Sequence, residues 1–188
     1  MTWNRKVTAL ANLLESLEVT GPGGSELTPD TAFARWVELT EEIRAANRTI
    51  YFIGNGASAS MASHFSADLA KNAHVHTQVF TDPSLVTAVG NDMGYEHVFS
   101  EPLRRRAQAG DMLVSISSSG RSPNILQATS MATELGLLQV GLSAMSADNP
   151  LRQAGTLNFY VAATTYGNAE TSHAAILHHW LDAMLGEA

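Results

Sequence analysis

The sequence predicts an α/β protein: one doubly wound domain with a five-stranded parallel sheet flanked by helices, preceded by a helical arm. Two observations lead there. The segments 49–53, 78–80, 112–116, 138–142 and 158–161 are short, nearly continuous apolar runs. Unbroken apolar strands are buried on both faces, which is the pattern of a parallel sheet. Helical stretches at roughly 58–71, 95–109, 122–136 and 169–185 alternate with them, so each strand leads into a covering helix.

Each element has a local reason. Trp3, Val7, Leu10, Leu13, Leu14 and Leu17 recur at three- and four-residue spacing, giving one amphipathic helical face. Gly21-Pro22-Gly23-Gly24-Ser25 interrupts it as a loop. A second helix begins near Thr28 or Asp30 and carries Phe33, Trp36, Leu39 and Ile43 on one side. We read residues 1–48 as an oligomerisation arm and 49–188 as the α/β unit, together one structural domain.

Composition narrows the function. The chain has 188 residues, 45% hydrophobic and 15% charged, ordinary values for one soluble globular domain. No apolar run approaches the roughly 20 residues of a membrane span. The first residues lack a basic stretch followed by an apolar one, so a cytoplasmic protein is expected. The absence of cysteine excludes disulfides, thiolate metal sites and cysteine nucleophiles. A formal net charge of −7 argues against a nucleic-acid partner. Arg104-Arg105-Arg106 lies beside Glu101 and reads as a solvated helix face. An acidic protein that binds an anion must hold it with helix N-termini and oriented N–H groups.

Two strand-to-helix turns offer such devices. In Gly54-Asn55-Gly56-Ala57-Ser58, the glycines permit a tight turn and Ser58 is placed to cap the next helix. In Ser117-Ser118-Ser119-Gly120-Arg121-Ser122-Pro123-Asn124, four hydroxyls fall within six residues of a buried-type strand. Ser122 occupies an N-cap position with Pro123 at the first helical residue. One cap needs one serine; the surplus predicts a phosphate nest on a helix N-terminus. Neither a P-loop lysine nor a G-x-G-x-x-G follows a strand, so a sugar monophosphate is expected and no nucleotide cofactor.

Acid–base candidates lie on two helices. His64 and Asp68 are four apart, hence on one face. The last helix carries Glu170, His173, His178 and His179; Glu170 and His178 fall within about 80° of each other around it. A His–carboxylate pair on each helix suits a general acid and base, or a four-ligand divalent metal site.

Gly54-Asn55-Gly56-Ala57-Ser58, Ser63-His64-Phe65, Asp68-Leu69, Val89-Gly90-Asn91-Asp92 and the serine turn with Pro123-Asn124 together resemble the phosphoheptose isomerase branch of the SIS (sugar isomerase) family. The resemblance runs from about Ile50 to the last helix. It implies a homotetramer with active sites between subunits, converting sedoheptulose 7-phosphate to an aldose phosphate through an enediol. It implies phosphate contacts from Ser117, Ser118, Ser119 and Ser122, and sugar or phosphate contacts from Asn55, Gly56, Ser58, Asn91 and Asp92. The family base falls at Asp68 and the histidine acid at His178; the zinc of some members would fall at His64, Asp68, Glu170 and His178.

The chain departs from the family pattern at three positions. Asp68 stands for a glutamate, Glu170 for a glutamine, and Asn72 for an arginine. An aspartate reaches roughly 1.5 Å less, and a 1 Å misplacement can cost about a hundredfold in rate. The base is therefore Asp68 or, if it has moved, Glu170. Three functions follow: the heptose isomerase, a non-catalytic sugar-phosphate-binding regulator, or an isomerase of another phosphosugar.

Overall fold

The structure is a computed structural model and describes residues 2–187. A helix α1 (Trp3–Glu15) opens the chain, followed by the short strands β1 (Glu18–Thr20) and β2 (Glu26–Leu27). Helix α2 (Pro29–Ala45) comes next, with Pro29 at its first position and the Thr28 hydroxyl accepting the Thr31 N–H at 3.3 Å. The α/β alternation then runs β3 (Thr49–Gly54), α3 (Ala57–Ala73), β4 (His76–Val79), α4 (Pro83–Met93) and α5 (Ser100–Arg106). It finishes with β5 (Met112–Ser117), α6 (Pro123–Glu134), β6 (Leu138–Ala144), β7 (Leu157–Val161) and α7 (Tyr166–Leu185).

The strands form one sheet in the order β2-β1-β7-β6-β5-β3-β4. The five strands from β3 to β7 pair in parallel; β1 runs antiparallel to β7, and β2 antiparallel to β1. The sheet therefore has seven strands rather than the expected five. The two additions flank the glycine turn that reads as a plain loop. They are three and two residues long, with Val19 the one buried side chain, too short to show a period.

Two helix boundaries also differ from expectation. The predicted helix at 95–109 is a single 3₁₀ turn, Tyr95–His97, followed by the shorter α5. Helix α4 was not expected, although its start signals are present: Asp82 accepts the Leu85 N–H at 2.9 Å and Pro83 follows. None of its residues is fully buried; Leu85, Val86 and Val89 pack only partly buried against the core.

Two apolar layers hold the sheet. On one face α2, α3 and α7 pack through Trp36, Phe52, Phe65, Phe159 and Trp180, with the Trp36 and Trp180 rings stacked at 4.1 Å. On the other face Leu103 of α5 and Ile125 of α6 meet Ile53 and Leu113. Full burial of each such side chain contributes about 1.5–3 kcal/mol.

The strand order fixes where a ligand binds. The chain leaves β3, goes outward to β4, then returns to the other side of β3 as β5. That reversal opens a crevice beyond the carboxyl ends of β3 and β5. Gly54 at the end of β3 pairs in register with Ile116 of β5, so the two Gly/Ser turns emerge side by side.

Candidate active site

A cavity of about 180 Å³ lies in this crevice. Asn55 and Ser58 line it from the first turn, Ser117, Ser118, Ser119 and Ser122 from the second, and Tyr166 and Glu170 from the start of α7. The N-termini of α3, α6 and α7 thus meet around one space. Each brings unpaired N–H groups and a positive dipole end. The lining contains no arginine, lysine or histidine. What the lining offers an anion is hydroxyls, amides and helix dipoles.

Local geometry explains the turns. A Cβ on Gly54 would come within 2.6 Å of the Ser58 backbone, so only glycine lets the chain fold back this closely. Gly56 sits at φ +55° and is itself the residue before α3, so Ser58 is a buried first-turn residue rather than the expected cap. In the second turn Gly120 has φ +60°, and a Cβ there would collide with the Asn149 side chain. The end of β6 and the segment after it brace this turn: the Ala144 N–H donates to the Ser118 carbonyl at 3.1 Å and the Leu151 N–H to the Gly120 carbonyl at 3.2 Å. Arg121 points away to an ion pair with Asp148 at 2.7 Å. Ser122 precedes α6 as expected, but its hydroxyl makes no cap bond, which leaves it to the cavity.

The acid–base candidates divide into two groups. Glu170 lines the cavity. His64, Asp68 and His178 form a separate cluster where α3 and α7 pack. His64 Nε2 lies 3.4 Å from Asp68 Oδ2, and Lys71 Nζ is 3.7 Å from Asp68 Oδ1. The His64 and His178 ring centres are 5.7 Å apart, and Phe65 packs edge-on to His178 at 4.8 Å. Between Glu170 and His178 lies His173, fully buried, with neither ring nitrogen hydrogen-bonded. Burial lowers its pKa to about 4, which the nearby Ser143 backbone offsets only in part.

The expected zinc ligands do not converge. Among the described residues, no three His, Asp or Glu side chains come together in a way that could hold a metal ion. Glu170 and His178 are two helical turns apart, about 12 Å of rise. The donor types suit zinc, but their placement in the single chain does not.

Asn91 and Asp92 lie exposed at the end of α4, bonded to each other at 2.8 Å and outside the cavity lining. Sequence reasoning missed Tyr166 at the cavity mouth, and also Tyr95 and Asn124, which both bond Asn55. The N-terminal position of Tyr166 on the last helix was the available signal for the first. For the other two the contacts span 40 and 69 residues, and no local signal exists.

This geometry has relatives. The SIS domain family profile matches residues 28–144. A phosphoheptose isomerase of Campylobacter concisus is 35% identical over 137 residues, covering 70% of this chain and 72% of the relative. One from a Geobacter species is 32% identical over 174 residues, 89% of each chain. The solved phosphoheptose isomerase of Neisseria gonorrhoeae superposes with a TM-score of 0.82 at 25% identity, covering 97% of this chain and 98% of that one. The chain belongs to the SIS domain family, in its phosphoheptose isomerase branch.

Proposed function

We propose that this chain is an aldose–ketose isomerase that converts sedoheptulose 7-phosphate to a heptose 7-phosphate through an enediol. The observation that carries the reading is the meeting of three helix N-termini and the serine turn around one cavity that also contains a carboxylate. The phosphate sits against the Ser117–Ser122 turn, where N–H groups and hydroxyls donate to its oxygens. The reacting end of the sugar then reaches Glu170. Glu170 removes a proton from C1, the enediol forms, and a proton returns at C2 while the hydroxyl proton moves from O1 to O2. His178 lies outside this cavity in the single chain, so its role as the partner acid depends on assembly bringing it to the sugar across a subunit boundary. Two observations favour Glu170 over Asp68 as base: Glu170 lines the cavity, whereas Asp68 is engaged by His64 and Lys71.

The proposal includes a homotetramer with active sites completed between subunits. Helix α1 supports it: none of its residues is buried, and Trp3 is 77% exposed. Helix α4 likewise has no fully buried residue. Sedimentation at micromolar concentration should read four chains; a monomer would refute this part. A cytoplasmic setting is part of the same reading and rests on the cysteine-free sequence. Among the described residues, no helix is long and apolar enough to cross a membrane.

The test is proton–deuterium exchange into sedoheptulose 7-phosphate in D₂O, followed by NMR. Exchange at C1 together with aldose formation is the expected result. Binding without exchange would replace the isomerase with a sugar-phosphate-binding protein. Exchange only with another ketose phosphate in a five- to seven-carbon panel would reassign the substrate.

A further inference from the structure

The two ligand turns are joined by a pair of side-chain amides. The Asn55 amide donates through Nδ2 to Asn124 Oδ1 at 3.0 Å, and Asn124 Nδ2 donates back to Asn55 Oδ1 at 2.8 Å. A third group completes the set: the Tyr95 hydroxyl donates to Asn55 Oδ1 at 3.3 Å. Asn124 is itself fixed, being 2% exposed, with its Oδ1 also accepting the Ile125 N–H at 3.0 Å.

An asparagine amide has two N–H donors and two acceptor lone pairs. Asn124 and Tyr95 fill both lone pairs of Asn55 Oδ1, and Asn124 takes one of its two N–H bonds. One hydrogen-bonding valence remains on this cavity-lining side chain: the second Nδ2–H. Resting on the isomerase reading above, we propose that Asn124, assisted by Tyr95, is a positioning residue that turns Asn55 into a fixed single N–H donor aimed at an oxygen of the bound sugar phosphate. Without the pair, the Asn55 amide is free to rotate about its last torsion and to present its carbonyl instead. Its donor would then be offered only part of the time, and the two turns would lose their side-chain link.

Asn124→Asp separates this role from simple support. It preserves the side-chain shape and an oxygen for the Ile125 N–H, but opposes a second acceptor to Asn55. The Asn55 amide then turns both N–H bonds toward position 124 and away from the ligand. Turnover of sedoheptulose 7-phosphate should fall about tenfold or more in kcat, beyond the loss of inorganic-phosphate affinity that the added charge at the N-terminus of α6 brings. Tyr95→Phe, at an exposed residue, should cost about twofold to threefold. In an Asn55→Ala background neither change should have any further effect, because both act through Asn55. Additive losses in that background, or an unchanged kcat in Asn124→Asp, would overturn the proposal while leaving the isomerase reading intact. Should Asn124→Asp not fold, the Tyr95→Phe and Asn55→Ala cycle carries the same test.

An unaltered protein that does not turn the substrate over would remove the isomerase reading instead. Calorimetry then reads the positioning role directly. Asn124→Asp should lose about tenfold more affinity for sedoheptulose 7-phosphate than for inorganic phosphate, and equal losses for the two would refute it.

Discussion

The serine turn and the α3–α7 histidine cluster face the same chemistry with opposite construction. The turn at Ser117–Ser122 has half its residues buried, is braced by backbone bonds from the end of β6 and the segment after it, and is set by one glycine that tolerates no side chain. The His64–Asp68–His178 cluster is open, with His64 and His178 exposed and the one close contact at 3.4 Å. A phosphate site gains from rigidity because its ligand group does not change during the reaction. An acid–base pair gains from adjustment on binding, and its hydrogen bonds are often long until the substrate arrives. Helix α7 connects the two regimes, with Glu170 at the rigid end and His178 at the open end.

That contrast breaks most sharply at the two carboxylates. Glu170→Gln should lower kcat roughly a thousandfold with little change in affinity for inorganic phosphate, whereas Asp68→Asn should cost far less. Steady-state kinetics on both variants decides it; the reverse ranking would return the base to the open cluster.

His173 tests the rigid end through pH. Its unfolded pKa is near 6.5 and its folded value about 4. The unfolded chain therefore binds more protons between these values, so this stability is fully present above pH 6.5 and is lost as pH falls toward 4. The full loss is about 3 kcal/mol. Denaturant titrations from pH 4 to 7 should show a slope that His173→Phe removes. A variant that kept the same slope would assign the pH dependence elsewhere.

The smallest effect sharpens the picture of the phosphate nest. Ser118→Ala removes one hydroxyl from a cavity with several donors. Loss of one hydrogen bond to a charged group is worth about 2 kcal/mol, roughly thirtyfold in affinity. Calorimetry with the sugar phosphate should show that weakening without a change in melting temperature beyond a few degrees.

Legibility followed the same divide. The apolar runs that became β3, β5, β6 and β7 were readable because burial on both faces leaves a strong compositional mark. The serine turn was readable because four hydroxyls exceed what one helix cap requires. Strands β1 and β2 were hidden because Val19 alone is too little pattern, and α4 because its apolar residues are only partly buried. The amide pair of Asn55 and Asn124 was invisible because strand order, not sequence distance, brings those residues together. Side-chain reach decided the rest: His64, Asp68, Glu170 and His178 share two adjacent helices, yet only Glu170 enters the cavity.

Among the described residues the cavity lining holds no lysine or arginine, which has a kinetic side. The chain carries a formal charge of −7, so an approaching dianion meets repulsion until it is within contact range of the helix ends. This chain's own net charge then gives capture no long-range attraction. Dissolved electrolyte, which slows most enzymes that recruit phosphate esters with cationic funnels, should here shield the repulsion and ease entry.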